Sequence, residues 1–372
     1  MKPQLLFWLS LLLAGALQAQ SRADQVRELA STFFQRNQLN GGVLVVENGR
    51  AILKRAHGFS GLDHSDTLSL HTPFNLGEAS AQFTALAIAQ LQAKGQLSLD
   101  DDISQYLSEL PYQGLRIRDL LWHSSGLPEY FLICEKHWQR NRPITNQDLL
   151  ALFQEHEPRL GFPRGTFFEY SNTGYAFLAV IVERVSRQGF ASYLEQHIFS
   201  PLGMEDAFVY NSLHTPLPSN IPQAYRLGLF KPYVPYESSY LDGIIGDKGV
   251  YASLHDLEKW AQALQGKNLL PPQTLQQLFV PGRLNNGKPV FYGMGWVVMG
   301  EPEVVYHDGA WEGFRSTIVH YPSLDRTVVL VSNRNDQVVS LQRAFSRVLE
   351  GRPAHKPLPG LLQCIRRKTP KP

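Results

Sequence analysis

Residues 75–91 read NLGEASAQFTALAIAQL, a run with the look of a helix whose first turn presents reactive side chains. Glu78 is the residue there that fits a general base. A carboxylate at a helix N-terminus is held in its ionised form by the positive end of the helix dipole, and an ionised carboxylate can activate water. Ser80 is the obvious hydroxyl nucleophile, yet a serine needs a base or a cation beside it. The position one turn on is Phe83. Ser80 also lies ~200° around a helix from Glu78, so it is expected to face away and to serve packing or capping. Cys134 and Cys364 are the only cysteines and lie far apart. Export would permit a disulfide, but no structural bridge and no zinc site are expected. No metal and no organic cofactor are implied.

The elements that must position this turn are legible from pattern. Residues 23–39 read as an amphipathic helix, followed by GGVLVVENGRAILKRAHGF. Asn48-Gly49 between two β-prone runs predicts a hairpin, because both central residues of that turn need positive φ. Phe83, Leu86, Ala87 and Leu91 carry helical periodicity, and Gly95 stops the helix. Thr145 is expected to cap a helix through His156. Ser171 or Asn172 should cap one running to Gln188, closed by Gly189. Ser253 and Asp256 form a capping box before EKWAQALQG. HTPLPSNIPQAY and FKPYVPYESSY read as long surface loops of the kind that border binding sites. FYGMGWVVMG, EVVYHDG, GFRSTIVHYP and RTVVLVSN read as strands, and residues 338–349 as a closing helix. The hairpin should complete the sheet of this meander. The expected fold is therefore α/β (α+β): an antiparallel β-sheet flanked by helices, with an inserted all-helical lobe and a cleft between the two.

The 372 residues are 43% hydrophobic and 18% charged with a net charge of +2. That is an ordinary globular composition and gives no electrostatic reason to expect nucleic acid. Residues 1–19, MKPQLLFWLSLLLAGALQA, combine one Lys, an apolar run and small residues. They read as a secretory signal peptide. The apolar run is short of the ~20 residues that span a bilayer, so no membrane span is expected in the mature chain. Residues 20–350 read as one domain and 351–372 as a disordered basic, Pro-rich tail. The expected location is periplasmic or extracellular.

Seven stretches occur in an order that resembles one known family. They are FNLGEASAQFTALAIAQLQAKGQLSLDDDISQYL, IRDLLWHSSGLPEY, FEYSNTGYAFLAVIVE, YLEQHIFSPLGM, GDKGVYASLHDLEKWAQAL, YGMGW and YHDGAWEGFRS. Over about residues 22–350 the chain resembles the serine hydrolases that include class C β-lactamases, penicillin-binding D-alanyl-D-alanine carboxypeptidases and related esterases. The resemblance implies a β-lactamase/transpeptidase-like fold and three catalytic motifs. The first, S-x-x-K, supplies a nucleophile and a lysine one turn later. Where the family typically reads G-S-V-S-K-Q-F-T-A, this chain reads GEASAQFTA. The nucleophile position is then Glu78 and the lysine position Ala81. The second motif, Y-x-N, is present as Tyr170, Ser171 and Asn172: the tyrosine shuttles a proton and the asparagine holds a substrate amide. The third, K/H-x-G, is present as His307, Asp308 and Gly309. By alignment the oxyanion hole would use the backbone N–H groups of Glu78 and Ala310. Lys248 stands where the family usually has glycine in G-D-G-G. It either points to solvent or reaches the cleft to pair with Glu78. Tyr170, without its lysine and beside a carboxylate, is expected to donate a hydrogen bond to Glu78.

Two functions follow from these residues. The favoured one is an exported, catalytically inactive relative that binds a peptidoglycan-type peptide or acyl ligand in the family cleft. The alternative is an active carboxypeptidase, esterase or β-lactamase-like hydrolase using Glu78 as general base with Tyr170 and His307. A third, weaker reading is an exported scaffold with an unused cleft.

Overall fold

The computed structural model describes residues 21–64, 66–213, 217–228, 233–266, 270–299 and 304–351. The expected signal peptide, the tail beyond 351 and Cys364 lie outside the described residues. Helix α1 (Arg22–Gln35) leads into a hairpin of β1 (Gly41–Glu47) and β2 (Arg50–His57). Asn48 and Gly49 have φ of 50° and 72° at its turn, as that turn type demands. The chain returns to the same sheet only after residue 296, so everything between is an insertion. Short strand β3 (Phe74–Asn75) pairs with β7 (Val250–Ala252), which also pairs with β4 (Phe208–Val209). β5 (Tyr225–Leu227) and β6 (Tyr233–Pro235) form a two-stranded ribbon inside a region that reads as pure loop in sequence. Finally β8 (Val297–Met299), β9 (Val304–Trp311), β10 (Phe314–Tyr321) and β11 (Arg326–Ser332) form the meander. Only the end of FYGMGWVVMG is strand.

The six-stranded sheet has the order β2-β1-β11-β10-β9-β8, antiparallel throughout. The hairpin does complete the meander, with Val43 opposite Leu330 and Val45 opposite Val328. β1 is buried on both faces, and the two-residue period of a strand divides its side chains between them. Val43 and Val45 meet Phe33 and Phe34 of α1 and Phe345 on one side, while Leu44 and Val46 enter the larger core on the other.

The helical lobe contains α2 (Ala81–Ala93), α3 (Ile117–Leu121), α4 (Tyr130–His137), α5 (Asn146–His156) and α6 (Asn172–Ser186). α2 and α6 are its centre. Every residue from 81 to 91 and from 172 to 182 is buried, the all-round burial of an interior helix. α5 begins and ends where its sequence predicts, with Thr145 and Asp148 reciprocally capping its first turn. The same device starts α7 (Leu254–Ala263) at Ser253 and Asp256. α6 differs from expectation. Ser171 is its N-cap by backbone only, and Arg187, left-handed at φ 57°, ends it before Gln188. Gly189 instead precedes the next short helix. Helix α8 (Val338–Leu349) closes the sheet's outer face beside α1. Among the described residues no helix is long and apolar enough to cross a membrane.

Candidate active site

The turn that carries Glu78 is a 3₁₀ segment, Gly77–Ser80, between β3 and α2. Three contacts fix it against β9 and β10. Gly77 has φ 54°, and a Cβ there would lie 2.5 Å from the Ala310 nitrogen. A Cβ on Gly309 would lie 1.8 Å from the Leu76 carbonyl oxygen, so only glycine lets strand and turn approach this closely. That carbonyl accepts a hydrogen bond from Ser316 Oγ at 2.7 Å. The result is that the Ala310 N–H, on β9, points at the first turn ahead of α2.

Glu78 itself takes up that donor. Its Oε2 accepts from the Ala310 N–H at 2.6 Å, and its own backbone N–H also stabilises the carboxylate. The two backbone donors expected to form an oxyanion hole therefore both serve the Glu78 side chain. Burial nonetheless raises the Glu78 pKa, outweighing those hydrogen bonds. Asp247 raises it further and Lys248 counters. Ala81 is 1% exposed. Ser80 is fully buried, and its Oγ accepts from the Val250 N–H at 3.1 Å, a structural role as expected.

Tyr170 lies on the approach to α6, with its ring 6.2 Å from that of His307 and 4.2 Å from that of His123. Burial, and next Glu78, push its hydroxyl pKa well above the ordinary value, so it stays protonated. Among the described residues it makes no hydrogen bond to Glu78, contrary to expectation. His307 sits at the inward-facing register of β9 and is fully buried. Its Nε2 pairs with Tyr292 Oη at 2.9 Å and its Nδ1 with the Asp308 carbonyl at 2.8 Å. Burial lowers its pKa to about 4, so the ring is neutral with both nitrogens engaged inside the protein.

Asn172 is the first residue of α6 and not its cap. Its N–H donates to Glu129 Oε1 at 2.6 Å and its Nδ2 to Glu129 Oε2 at 3.4 Å. Its Oδ1 is buried with no partner among the described residues. The first N–H of α6 is satisfied by the carboxyl group of Glu129.

Lys248 departs from both expectations. It is 2% exposed, and it does not form an ion pair with Glu78 among the described residues. Its Nζ donates to Tyr130 Oη at 2.6 Å, lies 3.5 Å from Asp247 Oδ2, and rests 4.6 Å from the Trp311 ring centre and 5.0 Å from that of Tyr130. Tyr130 in turn donates to Asp247 Oδ2 at 2.7 Å. The lysine thus acts on Glu78 only through space. Gly246 and Gly249 flank it at φ 108° and 99°.

Sequence reasoning brought Glu78, Tyr170, Asn172, His307, Gly309, Ala310 and Lys248 to one region, and the structure gathers their elements there. It missed Glu129, Tyr130, Asp247 and Trp311 as participants. Each stood inside a stretch that resembles the family, but nothing in local pattern distinguishes a carboxyl group that meets the first N–H of α6 from a solvated one. Among the described residues no cluster of three or more His, Cys, Asp or Glu is arranged to hold a metal.

Comparisons agree with this architecture. Penicillin-binding protein 4* of Bacillus subtilis (strain 168) is 32% identical over 356 residues, covering 91% of this chain and 78% of the relative. A penicillin-binding protein from Bacillus halodurans superposes with a TM-score of 0.72 at 26% identity, covering 86% of this chain and 97% of that one. The octameric penicillin-binding protein homologue from Pyrococcus abyssi, at 23% identity, shares the fold with a TM-score of 0.76 over 92% of this chain and 80% of its own. The family described as Beta-lactamase matches residues 25–351. On that match, and on this sheet with its helical insertion, the chain belongs to the β-lactamase family of penicillin-binding-protein-like serine hydrolases.

Proposed function

We propose that this chain is an exported member of the family that has lost acyl-enzyme chemistry and works by binding a peptide or acyl ligand in the cleft. One observation carries the reading: the Glu78 carboxylate accepts the Ala310 N–H at 2.6 Å. In acyl transfer this donor must hold the oxygen of a tetrahedral intermediate. Here it holds a carboxylate that belongs to the protein, at the position where the resemblance places the nucleophile. A carbonyl substrate would have to displace Glu78 and would then find neither hydroxyl nor lysine, since Ala81 has no functional group. Export is inferred from residues 1–19, and a cell-wall-type ligand from the names of the penicillin-binding relatives.

The alternative, Glu78 as a base for water with Tyr170 and His307, has one supporting observation, the raised Glu78 pKa. The geometry around it weighs against that mechanism. Tyr170 is protonated and makes no hydrogen bond to Glu78 among the described residues, and His307 is neutral and paired with Tyr292.

The test pairs the native protein with the double variant Glu78→Ser plus Ala81→Lys, each incubated with a fluorescent penicillin and a chromogenic ester. The expected outcome is no labelling and no turnover for the native chain, and gained labelling or turnover for the variant. Robust native turnover that disappears in Glu78→Ala or Tyr170→Phe would overturn the reading in favour of the alternative.

A further inference from the structure

The corner of the cleft beside Glu78 is rich in acceptors. Glu129, Asp247 and Glu78 are close enough that each of the last two raises the pKa of the first. Lys248 partners Asp247, and Arg315 also feels Glu78, although its Nη1 is spent on the Phe314 carbonyl at 2.7 Å. After these contacts two buried oxygens are still without a donor among the described residues. They are Oδ1 of Asn172, in a residue 8% exposed, and Oδ1 of Asp247, in a residue 2% exposed. A buried acceptor left unpaired costs free energy that a bound donor can recover. Asn172 is held by Glu129, so its free oxygen belongs to the same corner as the carboxylates.

The chain's own ammonium shows what this corner accommodates. Lys248 rests on the faces of Tyr130 and Trp311 and donates to the Tyr130 hydroxyl. Anions meet the opposite situation, because the two backbone donors that would receive one already serve Glu78.

We propose that Glu129, Asp247 and the free side-chain oxygen of Asn172 form a subsite for a primary ammonium group. The ligand of the cleft is then an amine-bearing amide or peptide and is not recognised through a carboxylate. This rests on the reading of the cleft as a binding site. An ammonium supplies donors to the two oxygens that have none, and a positive charge to a corner where Lys248 stands among Glu78, Glu129 and Asp247.

Three matched probes test it by calorimetric titration of the full chain: phenethylammonium, the neutral N-acetylphenethylamine and the anionic phenylacetate. Phenethylammonium is expected to bind about tenfold or more tightly than either of the others, the size of one charge-assisted hydrogen bond. Glu129→Gln and Asn172→Ala should each reduce that preference by about fivefold or more. Equal binding of the three probes, a preference for phenylacetate, or no binding of phenethylammonium would overturn the proposal. The comparison of probes on native protein decides the matter even if a variant does not fold. Ester turnover measured on the same native sample separates the two readings. Turnover overturns the inactive function and leaves the amine preference to the titration, whereas a lost preference without turnover overturns the subsite alone.

Discussion

Glu129 concentrates the electrostatics of the site in one residue. It binds the Asn172 N–H at the head of α6, and burial raises its pKa to about 7, with Asp247 and Glu78 adding to the rise and the Asn172 hydrogen bonds opposing it. A carboxyl group with a raised folded pKa binds protons more tightly in the folded state. Its contribution to stability is therefore full below the unfolded value near 4.5 and is lost as pH rises through about 7. Thermal melts between those two pH values should show Tm falling as pH rises. Glu129→Gln, which keeps an acceptor for α6, should flatten that part of the profile. Glu78 and Asp247 are shifted in the same direction, so the variant removes part of the slope. An unchanged slope would mean that Glu129 titrates as an exposed acid. This behaviour was not readable from the sequence. LPEY announces a loop and a helix start, but the two carboxyl groups that add to the rise, Asp247 and Glu78, lie 118 positions after Glu129 and 51 before it.

At the scale of elements, the decisive approach is between β9 and the Gly77–Ser80 turn. Gly309 leaves room for the Leu76 carbonyl where a Cβ would sit at 1.8 Å, against backbone that cannot rotate away. Gly309→Ala is expected to destabilise the protein by about 3 kcal/mol or to force strand and turn apart, read as a lowered urea midpoint at unchanged m. A loss below about 0.5 kcal/mol, the usual effect of a surface substitution, would show that the two elements part without cost. Elements of this kind were legible where local chemistry dictates them. Asn48-Gly49, the capping boxes at Thr145 and Ser253, and the 338–349 helix all satisfy their requirements within a few residues. The end of α6 was misjudged because Arg187 adopts a left-handed conformation that the nearby Gly189 would have taken more cheaply. The β5-β6 ribbon was missed because its pairing is short and set in a Pro- and Tyr-rich stretch.

For the molecule as a whole, the sequence placed the fold because an ordered set of stretches each keeps its own element. What it could not place was Lys248. A glycine-for-lysine exchange in GDKG says that a side chain has been added and not where it goes. Its actual berth needs Tyr130 from the helical lobe and Trp311 from the sheet. The Glu78 bond to Ala310 crosses the same divide, joining a residue just before the central helix of the lobe to one in the sheet 232 positions later. That bond turns the Ala310 amide into a gauge of how firmly the two halves of the protein are clasped. In hydrogen exchange this amide should be well protected in the native chain. Glu78→Ala should release it while amides in the middle of β10 and β11 keep their protection. Equal loss across the sheet would mean that the glutamate braces the whole fold. Loss confined to Ala310 would make Glu78 a local latch, one that a bound ligand could lift without disturbing the framework around it.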